Sequence, residues 1–192
     1  MLCSADGQLV AWLAHGLART KFVGLELDEK ALGVSRRLVR RLGLSDRVKF
    51  RKAEKSRIPF PSKQFDHVIS DFVVFPTRKP TQIDQREMAR VLNANGKMII
   101  TDVITTRPVS QKLKRTLKEI GLNYLCYARL SDFRKWMRSA GLTKIKTVNL
   151  TPFVQKIWKT RSVDNPKTKI LFSRKNFGLG KTIFYIYAKG EK

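Results

Sequence analysis

The residue best placed by type and position to do chemistry is Glu26, the acid that closes the short apolar run Phe22-Val23-Gly24-Leu25. A bounded apolar run of this length reads as a buried parallel strand. In open α/β sheets, ligands bind beyond the carboxyl ends of the strands, where a carboxylate can accept both hydroxyls of a ribose. A second group, Lys156, Trp158, Lys159, Arg161, Lys167, Lys169, Arg174 and Lys175, interleaves cations with an aromatic ring, as surfaces that hold phosphates and stacked bases do. Gly178-Leu179-Gly180-Lys181-Thr182 ends like a phosphate-binding loop. Its required first glycine falls at Lys175, and an apolar strand follows instead of a helix, so the segment is read as a turn. His15 and His67 stand far apart in the pattern, beside no cysteine or serine nucleophile, and are read as ordinary helix and strand residues; no metal site is expected. Cys3 and Cys126 are too few for a disulfide framework and read as packing thiols of a reducing compartment.

These residues need a scaffold, and apolar periodicity supplies one. Leu9, Val10, Leu13 and Leu17 recur at helical spacing, predicting a helix over 8–18 with Asp6 or Ser4 near its cap. After the strand at 22–27, Asp28 is placed to cap a helix over 29–42, with Arg36, Arg37, Arg40 and Arg41 together on its outer side. Strands follow at 48–50, 65–70 and 97–103, separated by a loop centred on Ile58-Pro59-Phe60-Pro61, a helix over 81–92 and a turn at Asn93-Ala94-Asn95-Gly96. Beyond Arg107-Pro108 come a helix marked by Leu113, Leu117 and Ile120, and another carrying Phe133, Trp136, Met137 and Ala140, capped by Ser131 or Asp132. A strand within 142–150, a short helix over 153–161, a polar loop at 162–175 and a final strand at 182–187 complete the chain. Strands alternating with helices of this length imply βαβ units and a mainly parallel sheet.

Length and composition agree. A chain of 192 residues, 42% hydrophobic with 7 Pro and 11 Gly, fits one ordinary domain with a real core. No apolar run is long enough for a transmembrane helix and no secretory pattern opens the chain, so a cytoplasmic or membrane-peripheral location is expected. The formal charge is +25. It is uneven: 1–104 hold 19 Lys+Arg against 11 Asp+Glu, and 105–192 hold 21 against 4. The basic second half would draw polyanions, either nucleic acid or an anionic membrane face, in a salt-dependent way.

The order of the pieces carries more than any one of them. Glu26 precedes a helix; then come Arg47-Val48-Lys49-Phe50 with Glu54, Ile58-Pro59-Phe60-Pro61, Gln64-Phe65-Asp66-His67-Val68-Ile69-Ser70, and Arg90-Val91-Leu92-Asn93-Ala94-Asn95-Gly96. This series, over about residues 5–103, resembles the class I S-adenosylmethionine-dependent methyltransferases, in particular the branch that includes the ubiquinone and menaquinone C-methyltransferases. The resemblance implies a Rossmann-like, doubly wound α/β sheet with an antiparallel last strand, a single domain over 1–192, and a division into a cofactor-binding half (1–104) and a basic acceptor-side half (105–192). It also implies S-adenosylmethionine as cofactor. Glu26, with Leu27 after it, would hold the ribose hydroxyls; Glu54, with Lys55 beside it, would lie near the adenine; Ser70, Asp71 and Phe72 would line the pocket near the sulfonium.

The departures lie at the start. The family's first strand and Gly-x-Gly-x-Gly turn correspond to Cys3-Ser4-Ala5-Asp6-Gly7, in which Ser4, Ala5 and Gly7 would meet the cofactor and only Gly7 survives of the three glycines. A Cβ at such positions obstructs close backbone approach. Two residues precede Cys3 where a strand of about five is needed, which predicts a gap in the central ladder. A start internal to a longer chain, a degenerate homologue, and a gap filled by another segment or a partner all account for it. Ala94 and Asn95 likewise replace the family's Pro and first Gly before strand five.

Two functions follow. One is methyl transfer to a small aromatic or isoprenoid acceptor, needing no fixed catalytic base because alignment supplies much of the rate; 103–129 and 153–161 would cover the acceptor, with Tyr124, Tyr127 and Trp158 as walls. The other is a non-catalytic protein of this fold that binds RNA or an anionic membrane through its basic second half. The motif of base-amino methylation is missing, since Asp71-Phe72-Val73-Val74 occupies its place.

Overall fold

The computed structural model describes residues 1–2, 6–54, 57–71, 85–119, 125–160 and 178–192, with the side chains of 116–119 and 158–160 outside that description. The element order is α1 (Gln8–Gly16), β1 (Phe22–Glu26), α2 (Glu29–Arg41), β2 (Val48–Lys52), β3 (Phe65–Asp71), α3 (Gln85–Val91), β4 (Leu92–Thr105), α4 (Gln111–Glu119), β5 (Cys126–Tyr127), α5 (Leu130–Ser139), β6 (Thr143–Asn149), α6 (Thr151–Thr160) and β7 (Ile183–Glu191). None of these helices is long and apolar enough to cross a membrane.

β1 and β2 pair in parallel from Phe22↔Val48 to Glu26↔Lys52. The other strands run in the order β3-β4-β7-β6, with β3 parallel to β4, β5 parallel to the end of β4, and β7 antiparallel to both β4 and β6. Between the two groups lies Leu2, bridged in parallel to Leu25 on one side and Ser70 on the other. Its N–H donates to Ile69 O at 2.8 Å, and the carbonyl of Met1 accepts from Leu25 N at 2.8 Å. The expected gap is thus reduced: Met1 and Leu2 stand where the first strand belongs and, among the described residues, supply a ladder step to each neighbour. The Met1 ammonium donates to Val23 O at 2.6 Å, and burial pulls its pKa down to about 5.

The helices bury the rows their sequences offer. α1 turns Val10, Ala11 and Ala14 inward, and its carboxyl end is held by Arg47, whose guanidinium donates to the carbonyls of Ala14, Leu17 and Thr20. Asp28 caps α2 as its type predicts, accepting from Ala31 N at 2.7 Å. Val10, Ala14, Leu32, Val39, Val48 and Phe50 form a cluster among α1, α2 and β2. A larger one, containing Met88, Leu92, Met98, Ile100, Phe133 and Met137, packs α3 and α5 on β3 and β4.

Some elements differ from expectation. The predicted turn at Asn93-Ala94-Asn95-Gly96 lies within β4, as an irregularity where Phe65↔Leu92 gives way to His67↔Lys97. Asn95 adopts a left-handed φ of 64°, and Lys192 stitches the irregularity shut: Asn95 N donates to Lys192 O and Lys192 N to Gly96 O. α5 begins earlier than predicted, at Leu130; Asp132 lies inside its first turn, and its carboxylate accepts from Arg129 N at 2.8 Å. Gly178 and Gly180, both at φ 74°, make the predicted turn into β7. The predicted helix over 81–92 is described only from Gln85, and the loop at 162–175 lies outside the described residues.

Candidate functional site

β1, β2, β3 and β4 run parallel, so their carboxyl ends share one edge, where ligands bind in open α/β sheets. Glu26 ends β1 there. Leu27 N donates to its Oε1 at 2.7 Å and Asp28 N at 3.2 Å, so the turn into α2 fixes the carboxylate's direction. The carbonyl of Glu26 accepts from Ala53 N at 2.8 Å, which brings Glu54, exposed just past the end of β2, alongside. Leu27 is 47% exposed at the same edge. Four predicted site residues, Ser4, Ala5, Lys55 and Phe72, lie outside the described residues.

Gly7 is the N-cap of α1, at φ 81°. A Cβ there would lie 2.9 Å from the Cβ of Ser35 and 3.0 Å from Cζ of Phe50. The glycine is therefore required twice, by its left-handed backbone and by the close approach of α1 to α2 and β2. This is the packing role of the last glycine in nucleotide-binding turns, distinct from the backbone approach to ligand that earlier glycines serve.

At the end of β3, the alternation of a strand sends Ser70 and Asp71 to opposite faces. Asp71 accepts a hydrogen bond from the Thr101 hydroxyl, and burial raises its carboxyl pKa. Ser70 is fully buried, and its Oγ has no hydrogen-bond partner among the described residues. Both residues stand at the carboxyl end of β3, with Leu2 between that strand and β1.

Sequence reasoning missed Asp102. It is 8% exposed on β4, its Oδ1 accepts from Val103 N at 2.7 Å, and burial, with the nearby Asp71, pushes its pKa up to about 7. The signal was available: an acid inside the apolar run Met98-Ile99-Ile100-Thr101-Asp102-Val103 is costly unless hydrogen-bonded or protonated. Cys126, buried beside it, is pushed up to about 12, as suits a packing thiol. His15 and His67 are both exposed.

The Ile58-Pro59-Phe60-Pro61 loop bordering the site is tied to α3. Glu87 accepts from Ile58 N at 2.8 Å, while Arg90 donates to the carbonyls of Ile58 and Phe60 at 3.0 and 2.9 Å and pairs with Glu87 at 2.7 Å. The paired guanidinium holds the Glu87 carboxyl below its usual range. Arg90, conspicuous in the sequence only as part of Arg-Val-Leu, is thus a loop anchor. Tyr127, expected as a wall of the acceptor pocket, is 65% exposed on β5, at the carboxyl end of β4. Tyr124 and the Trp158 side chain lie outside the described residues.

Residues 2–100 match the family described as Methyltransferase domain. The chain belongs to the methyltransferase domain family. Among curated methyltransferases it is 35% identical over 100 residues to methyltransferase GfsG of Streptomyces halstedii, covering 51% of this chain and 34% of that one. It is 26% identical over 106 residues to a demethylmenaquinone methyltransferase of Bacteroides fragilis, covering 54% and 42%. The chain spans a third to two thirds of the length of the curated relatives it matches. Among solved structures, geranyl diphosphate C-methyltransferase from Streptomyces coelicolor, in complex with Mg2+, geranyl diphosphate and S-adenosyl-L-homocysteine, superposes with a TM-score of 0.73 at 14% identity, covering 99% of this chain and 68% of that one. The architecture is that of a class I methyltransferase, with Leu2 in the place of the central strand and β7 as its antiparallel member.

Proposed function

We propose that this methyltransferase-family chain binds S-adenosylmethionine across the carboxyl edge of β1, β2 and β3 and directs its methyl group to a small aromatic or isoprenoid acceptor. One observation carries the reading: Glu26 and Glu54 sit at the ends of adjacent strands, on the carboxyl edge of the sheet. Glu26 accepts the ribose hydroxyls with a carboxylate already aimed by the N–H groups of Leu27 and Asp28. Glu54, with Lys55, faces the adenine, and Ser4, Ala5 and Gly7 border the amino-acid end. Asp71 and Phe72 stand nearest the sulfonium, whose positive charge suits an acidic and aromatic neighbourhood. The buried Ser70 Oγ, without a hydrogen-bond partner among the described residues, supports the fit, since a buried hydroxyl left so is an uncommon cost.

When bound, the cofactor supplies an electrophilic methyl group on a cationic sulfur. The chain's own task is placement, because a near-attack alignment supplies a large part of such a barrier. Tyr127, exposed on β5, is the described aromatic residue in position to wall the acceptor. The acceptor class draws support from the relatives' printed activities on demethylmenaquinone and geranyl diphosphate.

Calorimetric titration with S-adenosylmethionine tests the reading. Saturable binding is expected, weakened about tenfold or more by Glu26→Ala, which removes a charge-assisted acceptor, while the circular dichroism spectrum stays unchanged. No heat from a folded sample at millimolar ligand overturns cofactor binding by this chain.

A further inference from the structure

Two helices carry apolar surface that the core does not use. In α2 the core takes Leu32, Ser35 and Val39; Val34, Leu38 and, at the cap, Leu42 form a second row at a spacing of four, of which Leu38 is half-buried against that core while Val34 and Leu42 stay outside it. Val34 and Leu42 are 41% and 52% exposed. Across from them on α1, Trp12 is 72% exposed, and the exposed Leu9 lies three residues earlier on the same side. Between the helices runs an open groove of about 990 Å³, lined by Trp12, Val34, Leu38 and Leu42, with Arg37 and Arg41 among its walls. Exposed apolar surface rimmed by charge marks an interaction site.

The charge selects the kind of partner. Arg37, Arg40 and Arg41 form no ion pair among the described residues. With a chain charge of +25, a second copy is repelled and an anionic surface attracted. We propose that the α1–α2 face docks this protein on an anionic lipid bilayer, with Trp12 and Leu42 at the boundary of headgroups and acyl chains and Arg37 and Arg41 against lipid phosphates. Tryptophan is enriched at that boundary because its ring is apolar at one end and a hydrogen-bond donor at the other. Arginine matches phosphate with a planar fork of donors. A bilayer accounts for more of the surface than an acidic helix seated in the groove does. Leu9 lies outside the groove lining; a helix seated between α1 and α2 would miss it, and a plane that meets its neighbour Trp12 on the same side of α1 covers it. The proposal does not rest on the methyl-transfer reading.

Co-sedimentation of the chain with lipid vesicles decides it, using phosphatidylcholine alone and a two-to-one mixture of phosphatidylcholine and phosphatidylglycerol. Binding is expected only with the mixture and is expected to weaken with salt. Trp12→Ser alone, and Arg37→Glu with Arg41→Glu, are each expected to weaken it about tenfold or more. Lys114→Glu with Arg115→Glu, which reverses two exposed charges on α4, is the control and is expected to leave binding within about twofold, as only charges near the lipid surface contribute. All the changed side chains project from exposed positions, so unchanged helicity and melting temperature show that the variants fold. Equal loss in the control pair, full binding by Trp12→Ser, or no binding by the unaltered chain overturns the proposal. Saturable binding of an acidic amphipathic peptide, without vesicle binding, assigns the face to a protein partner instead.

Discussion

β4 and β1 are both interior strands of the sheet, yet they are tied very differently. β4 is paired with β3 from His67↔Lys97 to Asp71↔Thr101 and with β7 from Lys97↔Glu191 to Thr105↔Ile183. β1 has a full partner in β2, and on its other side the described residues that reach it are Met1 and Leu2. Glu26, Glu54 and Gly7, three of the residues proposed to meet the cofactor, belong to the lightly tied side; Asp71 belongs to the other. Ligand-binding regions are drawn from the less stable parts of a fold, and a ligand that spans Glu26 and Asp71 would itself tie the two sides together.

Breaking the tie gives the largest expected effect. Leu2 is 5% exposed and packs in the main core, so Leu2→Ala is expected to cost about 2–5 kcal/mol in denaturant unfolding. An added low-denaturant transition for the β1–β2 side would sharpen the contrast, and an unchanged midpoint would remove it. On the strongly paired side, Asp102 makes stability depend on pH. Its folded pKa, raised to about 7, means the folded state binds the proton more tightly than the unfolded chain does. Its contribution is fully present below about pH 4 and is lost as pH rises through 7. Asp102→Asn is expected to flatten that part of the profile, a difference of roughly 2–4 kcal/mol between the ends of the window. A wild-type profile equally flat from pH 4 to 7 would contradict it.

A smaller effect belongs to Gly7. Gly7→Ala must hold a left-handed backbone and displace Ser35 or Phe50, and is expected to cost about 1–3 kcal/mol; a neutral thermal melt would show that α1 and α2 can separate freely. The smallest comes from the exposed pair Lys144–Glu191, at 2.8 Å on the well-paired side. Lys144→Ala is expected to leave the melting temperature unchanged within error, because exposed ion pairs are screened and flexible. A measurable loss there would mean that the long ladder depends on its rim charges.

Much of this was legible in the sequence, for reasons that differ by element. Short apolar runs bounded by polar residues gave β1, β2, β3 and the paired part of β4, and Asp28 announced the start of α2, because these signals are local. The joining role of Leu2 was not legible, since the two residues Met1 and Leu2 leave no periodicity to read. The placement of 93–96 inside β4 depends on Lys192, nearly a hundred positions away, which no local turn signal contains. Family-like order placed Glu26 and Glu54 together before their strands were known to be adjacent. The opposite faces of Ser70 and Asp71, and the protonated tendency of Asp102, follow from alternation and burial, which become definite only with β4 and α5 in place.

β7 has one more consequence, for how the chain is made. It lies between β4 and β6 in space, yet both of them precede it in sequence. As the chain leaves a ribosome, β4 and β6 wait with unpaired backbone edges until β7 emerges, and only then can the interior of this half close. A ribosome stalled before residue 183 would therefore hold out two open edges, the kind of surface that pairs with other chains.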